Sequence, residues 1–264
     1  TGDEMPCIDV TLRANKAITP ISDMECEEDN AKVQKAYNNN ITYNSHIDGR
    51  RTGIWMALRA LFVALFFLSG ANAIAQPVKI MVFGDSLVAG FGLPPGAAFP
   101  DILAQNLIQQ GYQNEMINAG VSGDTTAGGA TRIDWALADR PDAVVLVLGG
   151  NDMLRGLRPA ASEQNLRIIL SRLADEGVPV LLCGMLAPEN LGADYAAEFN
   201  PLYPRLAAEF TTFFMPFFLQ DVALVPALNQ PDGLHPNSSG IDVIIQNLMP
   251  ELLALLASVG EKKG

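Results

Sequence analysis

The six residues "AVVLVL", 143–148, constrain the fold more than any other stretch of the chain. Successive side chains of a strand point to opposite faces, so a half-wetted strand alternates apolar with polar residues. This run is apolar throughout, so both faces must be covered, as in the central strand of a parallel sheet flanked by helices. Other segments repeat the theme. Strand-prone runs at 78–83, 115–119 and 178–184 alternate with helical stretches at 99–110, 130–138 and 162–176. The first of these helices has Pro100 near its start, and the third repeats Leu166, Ile169, Leu170 and Leu173 at helical spacing before Gly177. Further helices are expected over 193–210, with Pro201 awkwardly inside, and over 241–259, whereas "FFMPFFL" (213–219) fits neither period. This order predicts an α/β fold with right-handed crossovers. Its ligand crevice would lie at the carboxyl ends of the strands. Four polar loops follow apolar strands there: "GDSL" (84–87), "GVSGDTT" (120–126), "GGND" (149–152) and "MLAPENLG" (185–192).

The alternation covers only part of the 264 residues. Residues 1–55 are rich in Asn, Asp and Glu and have no hydrophobic period, so they read as a disordered or non-native upstream extension. Residues 56–75 carry Arg59, an apolar run over 60–68 and small residues ending at Ala73-Ile74-Ala75. That is the layout of a signal peptide cleaved before Gln76, which implies a periplasmic or secreted protein. The apolar run is shorter than the roughly 20 residues of a membrane span, so no membrane insertion is expected after cleavage. Residues 76–264 are enough for one domain with a real core.

Within 76–264 there are 10 Lys and Arg against 20 Asp and Glu, without a basic run, which argues against a nucleic-acid partner. Cys183 and His235 are the lone cysteine and histidine of this part, so no Cys/His zinc site is expected. Cys183 itself reads as a buried strand residue. No G-x-x-x-x-G-K-[ST] occurs, and "GFGLPPG" puts its third glycine one place too late for G-x-G-x-x-G.

Nucleophilic catalysis fits better. A serine needs a base, normally a histidine held by a carboxylate. Ser86 follows the first strand, and His235 sits in "PDGLHPN" (231–237), where Asp232 can reach its Nδ1 side if the loop turns back. Donors for a developing oxyanion are available from the Ser86 N–H, from Gly120 at the end of the second strand and from the Asn151 amide. Asp85 and Asp152 read as turn stabilisers. Alone, each is ordinary turn or strand-end chemistry; together they fill every role in acyl transfer.

Ser86 in "GDSL", Gly120 in "NAGVSGDTT", Asn151 in "GGND" and His235 in "DGLHPN" resemble, in order, the four blocks of the SGNH (GDSL) hydrolases. "LVLGGNDMLRGLRP", "GMLAPENLG" and "EFNPLYPRLAAEF" are similar to its branch of bacterial periplasmic thioesterases, lysophospholipases and arylesterases. The resemblance implies a flavodoxin-like three-layer α/β/α sandwich on a five-stranded parallel sheet. It also implies Ser86 as nucleophile, His235 as general base and then acid, and Asp232 as its orienting partner. Ser86, Gly120 and Asn151 would form the oxyanion hole, with no cofactor or metal. The G-x-S-x-G elbow of the α/β-hydrolases is absent, which agrees. Met185, Leu186, Pro188 and Leu191 are expected to line an apolar substrate groove. The reading is therefore an esterase or thioesterase acting on small-molecule aryl and short to medium acyl esters, with lysophospholipids within its range. A carbohydrate O-acetyl esterase and a non-catalytic binding module are the alternatives. Activity is expected to fall as His235 takes up a proton, around the ordinary imidazole pKa of about 6.5. The oligomeric state is left open.

Overall fold

Apolar runs become strands and periodic runs become helices, with two instructive departures. The structure, a computed structural model, describes residues 76–263; the expected extension (1–55) and signal peptide (56–75) lie outside the described residues. Strands β1 (Val78–Gly84), β2 (Asn114–Gly120), β3 (Ala143–Val147), β4 (Val180–Cys183) and β5 (Phe213–Met215) form one sheet in the order β2-β1-β3-β4-β5. Every pairing is parallel. Every residue of β3 is buried, as its composition requires, while edge strand β2 is partly exposed along its length. The first departure is β5. It is three residues taken from the run that fitted neither period, and an edge strand so short has no room to display alternation.

Helices α1 (Ser86–Ala89), α2 (Phe99–Gln109), α3 (Thr126–Leu137), α4 (Gly150–Leu154), α5 (Pro159–Asp175), α6 (Ala193–Phe199), α7 (Leu202–Phe210) and α8 (Ser238–Lys263) connect the strands. The second departure is here. The single helix expected over 193–210 is two helices, because Pro201 has no N–H to give and its ring crowds the preceding turn. Helix α3 starts earlier than its apolar period, since the Thr125 side chain caps it by accepting the Gly128 N–H.

Helices α2 and α8 pack together, as do α3, α5 and α7, and the sheet lies between these two layers. Among the described residues only α8, over Ser238–Gly260, is long and apolar enough to cross a membrane. Its Ile241, Ile244, Ile245, Leu248, Leu252 and Leu255 are nevertheless buried in the core. Cys183 is fully buried on β4, and burial pushes its thiol pKa well up, so it is packing rather than chemistry.

From β1 the chain passes to β2 on one side, then returns to place β3 on the other. The carboxyl ends of β1 and β3 therefore flank the point where the winding reverses, and the loops there splay apart to leave a crevice.

Candidate active site

Ser86 is the first residue of α1, immediately after β1. Asp85 caps that helix, its Oδ1 accepting the Leu87 N–H at 3.0 Å. A serine at this position stands at the crevice with its own N–H among those a helix start leaves without an intrahelical partner. The fit of α1 onto the sheet depends on Gly120, where an added Cβ would sit 2.3 Å from the Ala89 nitrogen. Arg132, reaching from α3, fastens the ends of both strands. Its Nη2 donates to the Gly84 carbonyl at 2.9 Å and its Nη1 to the Ala119 carbonyl at 3.0 Å. Its Nε meets Asp124 at 2.7 Å, and its guanidinium covers the Phe83 ring.

His235 approaches from the loop between β5 and α8. Its Nε2 lies 2.9 Å from Ser86 Oγ and its Nδ1 lies 2.6 Å from Asp232 Oδ2. A carboxylate only accepts, so Nδ1 carries the proton and Nε2 presents a lone pair to the serine hydroxyl. The other oxygen of Asp232 accepts the His235 and Leu234 main-chain N–H groups at 3.0 and 2.9 Å. Those two main-chain donors, with the imidazole, hold the Asp232 carboxyl down to about 2. It keeps its charge throughout any working pH range.

Asn151 is carried by α4, at the end of β3, and its Nδ2 donates to Asp85 Oδ2 at 3.3 Å. One amide hydrogen remains for the cleft. Asp85 is 1% exposed, and burial raises its carboxyl to about 6 against the opposing pull of the Leu87 N–H and the Asn151 amide. Next to it, Asp152 is buried and accepts from the Thr126 N–H at 2.8 Å, the Thr126 hydroxyl at 2.5 Å and the Ser162 hydroxyl at 3.0 Å. This network pins α4 to the starts of α3 and α5. The reading of Asp152 as a structural residue agrees with these contacts.

These groups open onto a cavity of about 500 Å³ with a mainly apolar wall. Ser86, Asn151, His235, Met185, Leu186 and Pro188 line it. Three expected residues do not: Asp232, which reaches the site through His235, and Gly120 and Leu191. Gly120 lies under α1, and its N–H goes to Asn118 Oδ1 at 3.0 Å rather than to the cleft. Gly123, three residues on, lines the cavity instead, with φ at +81° and its carbonyl held by Arg155 Nη2 at 2.8 Å. Leu191 closes the 3-10 turn Glu189–Leu191, which carries the chain on toward α6 and away from the cavity. Residues with no distinguishing sequence signal complete the wall: Met153 and Leu154 from α4, Phe217 and Leu219 after β5, and Leu224 and Leu234. Gly123 had a signal, since Gly-Asp in "SGDT" marks a tight turn, but so did Gly120. Among the described residues no cluster of His, Cys, Asp or Glu could hold a metal ion.

A doubly flanked parallel sheet that brings Ser86, His235 and Asp232 into one hydrogen-bonded line at its winding reversal is an arrangement suited to serine ester hydrolysis. The chain belongs to the GDSL-like lipase/acylhydrolase family, whose pattern its residues 82–243 match. It is 39% identical over 183 residues to Esterase TesA of Pseudomonas aeruginosa, covering 69% of this chain and 91% of that one. It is 36% identical over 198 residues to an arylesterase of Vibrio mimicus, covering 74% of this chain and 98% of that one. Among solved structures it is similar to AlinE4, an SGNH-hydrolase family esterase, at 43% identity and a TM-score of 0.59, covering 69% of this chain and 98% of that one. The fold class read from the sequence, and the reading as an ester-bond hydrolase, both stand.

Proposed function

We propose that Ser86, His235 and Asp232 hydrolyse apolar carboxylic esters through an acyl-enzyme. The observation that carries this reading is the unbroken relay from Asp232 through His235 to Ser86. Ser86 Oγ attacks the carbonyl carbon while His235 Nε2 takes its proton. The carbonyl oxygen gains negative charge and receives hydrogen bonds from the Ser86 N–H, the Gly123 N–H and Asn151 Nδ2. Collapse expels the alcohol or thiol, which takes its proton from His235, and a water then repeats the sequence on the acyl-serine to release the acid. Asp232 holds the imidazole in the required tautomer and offsets its charge while it carries the proton.

The wall of the cavity supports acyl and aryl groups rather than sugars. Its apolar part is built mainly from Met, Leu, Phe and Ala side chains; besides His235 its aromatics are Phe91 and Phe217, and among the described residues no Trp or Tyr lines it to stack on a sugar ring. Short to medium acyl esters, aryl esters, acyl thioesters and lysophospholipids fit such a wall. The domain spans 76–264, and the signal-like segment 56–75 supports export to the periplasm or beyond. A chain-length series of p-nitrophenyl esters, run beside a thioester, a lysophospholipid and acetylated xylo-oligomers, tests the reading. The expected result is that rates are highest for apolar acyl or aryl esters and vanish in Ser86→Ala. Faster release of acetate from the xylo-oligomers than from any aryl or acyl ester would overturn the preference.

A further inference from the structure

We propose that Gln230 is a positioning residue that ties the histidine loop to the nucleophile loop and so sets the approach of His235 to Ser86. The inference rests on the roles proposed for those two residues. They are 149 positions apart along the chain, yet the proton transfer needs them held at a 2.9 Å separation. The groups in such a constellation must be fixed to within about 0.5 Å. Among the described residues, two hydrogen bonds cross between residues 85–98 and residues 229–237. One is the Ser86–His235 contact itself, and the other runs from Gln230 Nε2 to the Phe91 carbonyl at 2.8 Å.

The same amide nitrogen gives its second hydrogen to the Pro236 carbonyl, directly after His235, at 3.0 Å. The Gln230 main-chain N–H donates to the His235 carbonyl at 2.8 Å, and its carbonyl accepts the Gly233 N–H at 2.9 Å. One residue therefore clasps the loop from 231 to 236 at both ends and links it to the segment that follows Ser86. The neighbouring amides do a different job. Asn229 donates to the carbonyls of Val222 and Val225, and Asn237 to those of Ala227 and Asn229, so both tie the loop to the chain just before it. Across the gap the Phe91 ring also packs beside the imidazole, the two ring centroids 4.7 Å apart.

The chemistry requires a carboxamide. Two carbonyls converge on one nitrogen, which needs two hydrogens. An ionised glutamate offers none and would repel both carbonyls, and a methionine of the same length offers none either. The amide oxygen is backed against Gly92, where an added Cβ would lie 2.1 Å away. Glycine at 92 leaves the room in which the amide sits.

The test compares Gln230→Glu and Gln230→Met with the wild type and Ser86→Ala, using p-nitrophenyl esters, with active sites titrated by a phosphonate. The expected result is a loss of about 10- to 100-fold in kcat per titrated site with KM little changed, since a misplacement of about 1 Å can cost a hundredfold. The rate of phosphonylation falls in step. A purely structural glutamine would reduce the titratable fraction and leave kcat per site alone. A loss smaller than fivefold in either variant, or a change confined to KM, overturns the proposal. Should both variants fold too poorly to titrate, Gly92→Ala is judged by the same criterion, because its Cβ displaces the amide. Activity surviving in Ser86→Ala would sink the mechanism itself; an inactive Ser86→Ala beside wild-type-like Gln230 variants sinks only the strut.

Discussion

The two halves of the relay are held by different forces. Ser86 rides on β1, whose Ile80, Met81, Val82 and Phe83 have no exposure at all, and on α1, whose Val88 is likewise buried. Gly120 lets that helix seat on the sheet, and Arg132 fastens the strand ends beneath it. His235 sits in a loop whose Asp232, Gly233 and Leu234 are exposed and whose shape comes from hydrogen bonds. Ser86 is therefore positioned by the same packing that keeps the domain folded. His235 is positioned by polar contacts that can be removed while the core stays intact. Activity and stability should be separable on the histidine side and inseparable on the serine side, except at the serine hydroxyl itself.

The largest expected effect is chemical. Ser86→Ala and His235→Ala should each lower kcat/KM by about 10⁴-fold or more while the melting temperature stays near that of the wild type. Asp232→Asn sharpens the comparison, because it leaves the loop's shape nearly intact but supplies the wrong partner to Nδ1. A loss of about 10³- to 10⁴-fold is expected. Asp232 stays ionised down to about pH 2, so its charge is constant across the working range of the assay. Asn151→Ala removes one of the proposed oxyanion donors, for an expected loss of about 10²- to 10³-fold in kcat.

The next two predictions could break the comparison. Gly120→Ala drives a methyl group into the backbone of α1 and should cost about 1–3 kcal/mol of stability, lowering activity with it. Thermal melts and assays of the folded fraction decide; unchanged stability with lost activity would show that the serine half is not held by packing. The smallest effect concerns Asp85. Its carboxyl is raised to about 6 by burial, so the folded chain binds that proton more tightly than the unfolded chain does. Ionising it above pH 6 costs stability, and the cost is relieved as pH falls through 6 toward 3.8. The melting temperature of the wild type relative to Asp85→Asn should therefore rise across that window as the solution is acidified. A pH-independent difference would contradict the burial argument.

What could be read from the sequence follows the same division. The all-apolar run at 143–148 announced a central strand because burial on both faces leaves no other composition possible. Ser86, Asp232 and His235 were legible because residues 76–264 contain one histidine and so offer a single imidazole base. The choice between Gly120 and Gly123 was not legible. It depends on which N–H is already taken, here by Asn118 Oδ1, and on where α1 lies. The cavity wall was only partly legible. Met185, Leu186 and Pro188 follow a strand and face the crevice, whereas Leu191 is carried away by a 3-10 turn. Phe217 and Leu224 enter from loops with no period to read. Gln230 was invisible for a related reason: its partner, the Phe91 carbonyl, is 139 residues away and is a backbone atom that any residue would supply.

Mapping the adduct of a fluorophosphonate by mass spectrometry bears most directly on the central assignment. One adduct is predicted, on the peptide holding residue 86, missing in Ser86→Ala and formed far more slowly in His235→Ala. Labelling at another residue, or full turnover by an enzyme that takes up no phosphonate, would mean that ester cleavage proceeds without this serine and its imidazole.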